Sequence, residues 1–510
     1  MFLGDNMDKS KKEETSKPIE KYFTKSLQEN IELIKSIFEK DETLIVREFN
    51  SKYLDSMMCA VIFIDGMVNT EVVNENIIQA IMCSNLNEGR SSNNNLLQEL
   101  QDKVIRSNQV SKSSDLNKIV DSIIIGDTVF LLEGYNETLI INSKGWQTRA
   151  IEEPNAEAVL RGPREGFTES IMVNLTLIRR KLKTPDLKFE FREIGVRSHT
   201  KVSVCYLQEL ANSKIINEVF ERLAKIDVDG VIDSGYIEEL IKDSPSSTFR
   251  TLGCTERPDV VAAKLLEGRI AIVVDGTPFV LTLPFVFIEY FQANEDYYLN
   301  YFMGSINRFI RIIGLILTIS VPAIYVALVT YHQEMIPTTL LLSIAAARKD
   351  VPLPSIIEAI AMLFVFEILR ESGARMPTSM GQAISIVGAL VLGQAAVEAR
   401  FVSAPMVIIV ALTGVTGLLI PKIKAAVITI RFIFLIMASI LGLYGYIFGL
   451  IGLLLILFSM RSYGVPYMLG LGSLDSQELQ DTVIRAPWWY MKYRPQIIGA
   501  KNKLRGKNAK

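Results

Sequence analysis

The spacing of apolar residues changes along the chain and divides it into two unlike regions. Up to about residue 300, short alternating apolar runs predict strands, and runs with three- or four-residue spacing predict amphipathic helices. After Phe309 come uncharged apolar runs at Ile312–Tyr331, Met376–Val397, Phe401–Pro421 and Phe432–Met460. About 20 apolar residues cross a hydrocarbon core as a helix. The pattern therefore predicts a soluble region followed by a membrane domain.

The first part of the soluble region combines a polar start with a mixed α/β pattern. Residues 1–42 predict a disordered tail rich in Lys and Glu, followed by one amphipathic helix. Residues 43–150 predict a first α/β lobe, with strands at LIVREF and CAVIFI. The β-branched stretch that starts at Ile119, IVDSIIIGDTVFLLEGYNETLIINSKGW, is predicted as strands linked by turns.

A second lobe is predicted for residues 155–290. Its pattern gives the order helix, strand, strand, helix, helix, strand, strand. The first of these helices ends in a basic cluster that includes Arg179, where cations complement the helix dipole. RIAIVVDGTPFVLTL predicts a hairpin around Asp275–Gly276. The predicted fold class is a two-lobed α/β soluble N-terminal region followed by a multi-pass α-helical membrane domain.

The membrane domain, residues 300–460, is expected to hold about four spans plus re-entrant or amphipathic segments. The tail, residues 461–510, is basic and is expected to be cytoplasmic together with the soluble region, which requires an even number of spans. We treat Phe432–Met460 as a tight helical pair around GLYGYIFG and Met376–Val397 as re-entrant. Alternatively, Met376–Val397 is a span and Phe432–Met460 is one long tilted helix.

Composition narrows the classes of function. The net charge of the 510-residue chain is −2, so charge indicates no nucleic-acid partner. Its four cysteines are scattered and form no CxxC pair, which indicates neither a zinc site nor a disulfide framework and fits a reducing compartment. The sequence contains no GxSxG, P-loop or GxGxxG motif. We therefore expect no enzyme activity, no metal and no cofactor.

Carboxylates within the apolar segments are the sharpest chemical signal. Ionisable side chains are costly in a membrane and usually face a cavity or a partner. They favour a cation pathway, although structural pairing with Arg370, Arg375 or Arg400, or placement at the membrane interface, would also explain them. The helix IIEAIAMLFVFEILRES is the candidate pore helix. The candidate pore-lining residues are Glu358, Glu367, Glu371, Gln382, Gln394 and Glu398.

A second group of candidates lies in the soluble region. The loop RGPREGF contains Arg161, Arg164 and Glu165, and Arg257 starts a predicted helix further along the chain. Arginines of this kind could bind a carboxylate ligand. We favour a contact between lobes or subunits, because the loop falls near the predicted lobe boundary. Trp488 and Trp489, which follow the last apolar run, are typical of an anchor at the membrane interface.

Long motifs between about residues 155 and 470 resemble the GerA family, the A subunits of nutrient germinant receptors in endospore-forming bacteria. In chain order the motifs are RGPREGFTESIMVNLTLIRRKLKTPDLKFE, DVDGVIDSGYIEELI, TERPDVVAAKLLEGRIAIVVDGTPFVLTLP, EMIPTTLLLSIAAARKDVPLP, GQAISIVGALVLGQAAVEA and RSYGVPYM. The resemblance implies a location in the inner membrane of the spore. It also implies partnership with a transporter-like B subunit and a lipoprotein C subunit. It further implies a homo-oligomer, proposed to be a pentamer, that acts as a ligand-gated ion channel.

Two further hypotheses compete with the channel. A non-conducting scaffold, or a paralogous sporulation membrane subunit, would share the same motifs. A secondary transporter would also explain broken helices and membrane carboxylates, but we find no inverted repeat between residues 300 and 460.

Overall fold

The protein is described by a computed structural model, whose described residues are 23–50, 57–83, 96–146, 157, 159, 161–375, 391–469, 481–491, 493–494 and 504–505. Within these ranges the chain forms two mixed lobes, then long apolar helices, then a short segment that returns to the second lobe. The predicted fold class is therefore confirmed, with sheets and helices first and a helical part after them.

The first lobe is built on one antiparallel sheet with the strand order β1-β2-β4-β5-β3. Alternate residues of β2 point to opposite faces of this sheet, so both faces carry a core. Helices α1 (Leu27–Ile37) and α2 (Leu116–Ile125) cover one face, and π-helical segments at Val72–Gln79 and Leu100–Val104 cover the other. The strands are β1 (Leu44–Asn50), β2 (Met58–Ile64), β3 (Val110–Ser113), β4 (Thr128–Leu132) and β5 (Thr138–Ile141).

Helix α2 corrects the prediction of a strand for the first residues of the stretch that begins at Ile119, whose later residues form β4 and β5 as predicted. The Asp115 side chain caps the helix by accepting from the Asn117 N–H at 3.0 Å, and Gly126 ends it with a φ of 99°. The buried positions of the helix recur at helical spacing and pack on the sheet. Capping and tertiary packing therefore outweigh the strand preference of a β-branched run.

The second lobe repeats this architecture with the strand order β6-β7-β9-β10-β8, again antiparallel throughout. Its helices lie on both faces of the sheet. The short strand β8 was not predicted. The strands are β6 (Leu187–Ile194), β7 (Thr200–Leu207), β8 (Gly253–Thr255), β9 (Ile270–Val274) and β10 (Val280–Leu283). The helices are α3 (Ile171–Lys181), α4 (Ser213–Ala224), α5 (Ser234–Ile241) and α6 (Pro258–Leu266).

The two lobes share more than strand order, because their first helices begin in the same way. In TKSLQEN, the Asn30 side chain accepts from the Thr24 N–H at 2.9 Å and donates to the Thr24 carbonyl at 2.8 Å. In TESIMVN, Asn174 makes the same two bonds to Thr168, at 2.7 and 2.6 Å. Both asparagines are buried. The lobes are thus structural repeats, which the sequence analysis did not detect.

A buried ion pair joins the lobes. The Arg179 Nη2 atom in α3 lies 2.6 Å from the Asp41 Oδ2 atom, and both side chains are almost fully buried. Thr43 donates to the other carboxylate oxygen of Asp41 at 2.6 Å. Lys188 adds a bond from β6 to the Ile37 carbonyl at 3.1 Å. Burial lowers the pKa of Arg179, and the adjacent Asp41 opposes this effect.

Long apolar helices follow the second lobe. Two helical stretches in the described residues, Tyr301–Thr330 and Pro421–Ser459, are long and apolar enough to cross a membrane. Helix α9, with 20 residues, is long enough to cross a membrane as well, but it carries four charged side chains. The helices of this part are α7 (Tyr301–Thr330), α8 (Thr338–Arg348), α9 (Ser355–Ala374), α10 (Ala404–Gly417) and α11 (Lys424–Ser459).

Helix α11 turns back on itself at Gly442, which has φ 64° and ψ −142°. The rings of Phe434 and Tyr446 lie on either side of this point with centroids 5.6 Å apart. In a straight helix, twelve residues would separate them by about 18 Å along the axis. Tyr331, just after α7, donates to the Ser439 carbonyl near the turn at 2.7 Å. The reversal thus lies next to the end of α7, and both halves of α11 pack along it.

The far end of α11 returns to the second lobe. Strands β11 (Arg461–Ser462) and β12 (Val465–Pro466) form a small hairpin there. Ser462 donates to the Thr251 carbonyl at 2.7 Å, and the Tyr467 hydroxyl donates to the Arg250 carbonyl at 2.7 Å. A continuous apolar core runs from the second lobe into α7 and α11. The second lobe therefore contacts both the helix that begins the apolar part, α7, and the segment that follows its last helix, α11.

Candidate functional site among the membrane helices

Helices α9 and α10 pack side by side and run in the same direction. Glu358, near the start of α9, contacts Ser403 at the start of α10. Further along, a Cβ atom at position 414 would lie 2.3 Å from the Phe366 ring. Glycine at this position therefore permits the close approach of the two helices. The register places the carboxylates of α9 at different depths in the helical bundle.

Glu358 is fully buried and serves the helix beside it. Its Oε1 atom accepts from both the backbone N–H and the hydroxyl of Ser403, each at 2.5 Å. Ser403 is the residue that precedes α10, where the helix dipole favours a negative group. Arg348 of α8 lies 3.9 Å from the other carboxylate oxygen. Within one chain, Glu358 therefore ties α8, α9 and α10 together.

Glu367 also lies inside the bundle and is neutralised there. Its carboxylate is 2.6 Å from Arg431 of α11 and also contacts Arg370, one turn further along α9. The Arg431 side chain is 2% exposed and the Glu367 side chain 16% exposed, so most of this pair is shielded from water and from lipid. The structure thus shows the arginine pairing that the sequence left open as an alternative for this residue.

The other described candidates are exposed. Glu371 is 56% exposed, with Arg375 at 2.9 Å and Lys424 at 3.8 Å. Gln394 donates to Glu398 at 3.1 Å, and both side chains are exposed. Glu371 lies near the start of α11, and the Gln394–Glu398 pair lies near the start of α10. The two sites are therefore at opposite ends of the bundle. Gln382 lies outside the described residues.

Of the candidates in the soluble region, Arg257 is buried within the second lobe. It binds Asp259 at 3.1 Å and donates to the Pro163 carbonyl of the RGPREGF loop at 2.6 Å. Glu165 of that loop contacts Arg180 and Lys181 of α3, each at 3.3 Å. Arg161 and Arg164 are exposed. Arg179, which was expected only to complement the helix dipole, contacts Asp41 of the first lobe, and Arg180, which binds Glu165, lies over the Trp146 ring of that lobe at 5.1 Å.

A network at the entrance to α7 was missed by sequence reasoning. Arg308 is fully buried between Asp296, at 3.2 Å, and Asp481 of the tail, at 2.8 Å. Arg311 binds the same Asp296 at 2.8 Å. These residues join the second lobe, the first apolar helix and the tail. Asp481 lies 173 residues beyond Arg308, and no local pattern connects them.

Comparison with known proteins decides the family. A family model described as Bacillus/Clostridium GerA spore germination protein matches residues 32–497. The chain belongs to this family. Spore germination protein KA of Bacillus subtilis (strain 168) is 42% identical over 482 residues, which cover 94% of this chain and 88% of that protein.

Two further relatives and one solved structure are also similar to this chain. Spore germination protein GerLA of Bacillus cereus is 38% identical over 447 residues, covering 87% of this chain and 90% of that protein. The uncharacterized membrane protein YfkQ of Bacillus subtilis (strain 168) is 42% identical over 483 residues, covering 94% and 93%. The crystal structure of the N-terminal domain of the A subunit of the Bacillus megaterium spore germinant receptor GerK3 matches 52% of this chain and 98% of that chain, with 34% identity and a TM-score of 0.42.

In this GerA-family chain, acidification is expected to weaken the contact between the second lobe and the tail. Burial alone would raise the pKa of Glu267, but Lys264, Arg269 and Arg505 outweigh it and hold that pKa at about 2. A lowered folded-state pKa contributes stability above the unfolded value of 4.5, and this stability is lost as pH falls towards 2. The thermal midpoint should therefore fall more steeply from about pH 6 to about pH 3 in the wild type than in Glu267→Gln. Parallel pH profiles would contradict this linkage.

Proposed function

We propose that the chain is the A subunit of a nutrient germinant receptor and forms an oligomeric, ligand-gated cation channel that triggers germination. It would lie in the inner membrane of the spore, with both lobes and the tail in the cytoplasm. A transporter-like B subunit and a lipoprotein C subunit would complete the receptor. Family membership supports the receptor role, which is a non-enzymatic one.

One observation carries the channel proposal, namely the separation of the membrane carboxylates into two classes. Glu358 is fully buried, Glu367 is 16% exposed, and both are occupied by partners of the same chain. Glu371, Gln394 and Glu398 are exposed on the single chain. Exposed carboxylates are costly against lipid, whereas copies arranged around an axis would place them along a water-filled path. We therefore assign the cation pathway to the exposed group.

The exposed surface of α8 supports an oligomer. None of its eleven residues is buried in the described structure, although most are apolar. Leu340 and Leu342 are 52% and 65% exposed. An apolar helix of this kind needs lipid or another copy of the chain against it. A ring, which we propose to be a pentamer, would cover such surfaces while bringing the exposed carboxylates together.

A non-conducting scaffold is the second candidate. The observation that favours it is the internal pairing of Glu358 and Glu367, because these residues need no ion pathway to explain them. Under this alternative, the exposed carboxylates would contact the partner subunits.

Potassium efflux distinguishes the two functions. The purified chain would be reconstituted with its B and C partners in potassium-loaded liposomes and exposed to candidate nutrients. We expect nutrient-dependent efflux that falls strongly in Glu371→Gln and Glu398→Gln, because these changes remove negative charge from the proposed pathway. Glu221→Gln on the exposed face of α4 is the matched control and should leave efflux unchanged. An assembled complex that releases no potassium with any nutrient would leave the scaffold as the function.

A further inference from the structure

A small cavity of about 10 Å³ lies inside the helical bundle, where α7, α9, α10 and the start of α11 meet. The proposed channel leaves it unexplained, because the carboxylates that we assign to the cation pathway do not line it. A cavity of this volume holds about one water molecule or one ion of similar size. Its polar lining comes from Thr318, Arg370, Thr416, Lys424 and Arg431, and its other lining residues are apolar or glycine.

The charge on the wall of this bundle cavity is positive. No Asp or Glu side chain of the described residues lines it. Its two arginines share the single carboxylate of Glu367, whose Oε2 atom contacts Arg370 and whose Oε1 atom lies 2.6 Å from Arg431. Two guanidinium groups therefore share one negative charge, and these three side chains together carry an excess of one positive charge.

The next carboxylate along α9, that of Glu371, is shared in the same way. It lies 2.9 Å from Arg375 and 3.8 Å from Lys424, the third cation of the cavity wall. The four cations in these two groups thus have two carboxylates between them in the described structure. The positive excess at the cavity is therefore not removed by its surroundings.

The two arginines also have buried N–H groups that remain unbonded. The Nε atoms of Arg370 and Arg431 are both buried, and neither has a hydrogen-bond acceptor among the described residues. The Arg431 side chain is 2% exposed, so solvent around the bundle does not replace the missing acceptor. A buried donor without an acceptor is costly, and an occupant of the adjacent cavity would satisfy it.

Charge distinguishes between a water molecule and an anion as that occupant. Either would accept hydrogen bonds from guanidinium N–H groups, but only an anion would also neutralise the excess positive charge. An uncompensated charge is especially costly within helices that are apolar enough to cross a membrane. The volume limits the anion to a single atom, because a phosphate or a carboxylate ligand needs more room.

We propose that the bundle cavity binds one chloride ion, which Arg370 and Arg431 hold. Together with Glu367, the ion would make the group of buried charges neutral, and it would strengthen the contact between α9 and α11. The inference concerns the packing of the helices, so it does not depend on cation conduction by the receptor.

Chloride-dependent thermal stability of the purified full-length chain in detergent tests the proposal. Potassium chloride replaces potassium gluconate at constant ionic strength, since gluconate is too large to enter the cavity. We expect the thermal midpoint to rise by about 2–4 °C and to saturate with chloride, because a ligand that binds only the folded chain stabilises it.

Two variants disable the site in different ways. Arg370→Gln removes the excess charge but leaves Glu367 paired with Arg431. Gly417→Ala keeps every charge and adds a methyl group beside two lining residues, 3.5 Å from the Thr318 Cγ2 atom and 4.0 Å from the Arg370 Nη1 atom. These are ordinary contact distances, so the methyl group fits and takes up space at the cavity. The chloride-dependent rise should be lost in both variants.

Each variant has a matched control. Arg375→Gln removes an exposed charge just after α9, and Gly452→Ala adds a methyl group to α11 where it meets no neighbouring group of the described structure within 4 Å. Both controls should keep the rise. A wild-type midpoint that does not respond to chloride would leave water as the occupant and overturn the proposal. A rise that persists unchanged in both Arg370→Gln and Gly417→Ala would place the chloride elsewhere and would also overturn it.

Discussion

Replacing Glu367 with leucine is expected to destabilise the helical part of the protein by about 3–5 kcal/mol, the usual cost of leaving a buried charge without its partner. The substitution leaves Arg431, which is 2% exposed, and Arg370 facing each other without the carboxylate between them. The thermal midpoint of the purified chain in detergent should fall, and α9 should lose protection against hydrogen exchange.

A second substitution at this pair gives the matched control. Glu367→Leu/Arg431→Leu removes both charges and should recover much of the lost stability, because an apolar pair does not need to be neutralised. Glu371→Leu, on an exposed position of the same helix, should change the midpoint little. A Glu367 variant as stable as the wild type would show that the pair does not hold α9 against α11.

Asp41→Asn is expected to separate the two lobes, with a loss of about 3–5 kcal/mol from their contact. The amide cannot neutralise Arg179, which lies 2.6 Å away and is almost fully buried. Hydrogen exchange should increase at the start of β1 and at the end of α3 while the two sheets keep their protection.

Asp229→Asn is the comparison for this experiment, because Asp229 is 84% exposed and its pairing with Arg197 is at the surface. It should leave the exchange pattern unchanged. Equal exchange in Asp41→Asn and the wild type would contradict a lobe contact that depends on this ion pair.

Local patterns in the sequence predicted much of the architecture. Alternation in LKFEFREI and KVSVCYL indicated β6 and β7, and the Asp275–Gly276 turn indicated the β9–β10 hairpin. The length of the apolar runs indicated the long helices that follow the lobes. These features depend on neighbours in sequence, which is why the chain alone reveals them.

The features that the sequence did not predict depend on contacts between residues that are distant in sequence. Helix α2 looked like strands because β-branched residues fill it, and only its caps and its packing on the sheet decide otherwise. Arg179 was expected only to complement the helix dipole, because its partner Asp41 lies 138 residues earlier and no local pattern connects the two residues. The carboxylates were all predicted to line a pore, and only their burial in the folded chain separates Glu358 from Glu398. The structural repeat was not predicted, because the sequence likeness noted between the two lobes is short. It consists of the helix starts at Thr24 and Thr168.

The reversal potential of the reconstituted receptor under a potassium chloride gradient tests the channel most directly. We expect nutrient-dependent current that reverses near the potassium equilibrium potential. Glu371→Lys and Glu398→Lys should shift reversal towards the chloride potential, because the sign of the charge along the pathway changes. Glu221→Lys, on the exposed surface of the second lobe, should leave it in place. A conducting receptor whose selectivity ignores the charge at both positions, or a folded receptor that carries no current, would contradict the assignment of these carboxylates to a cation pathway.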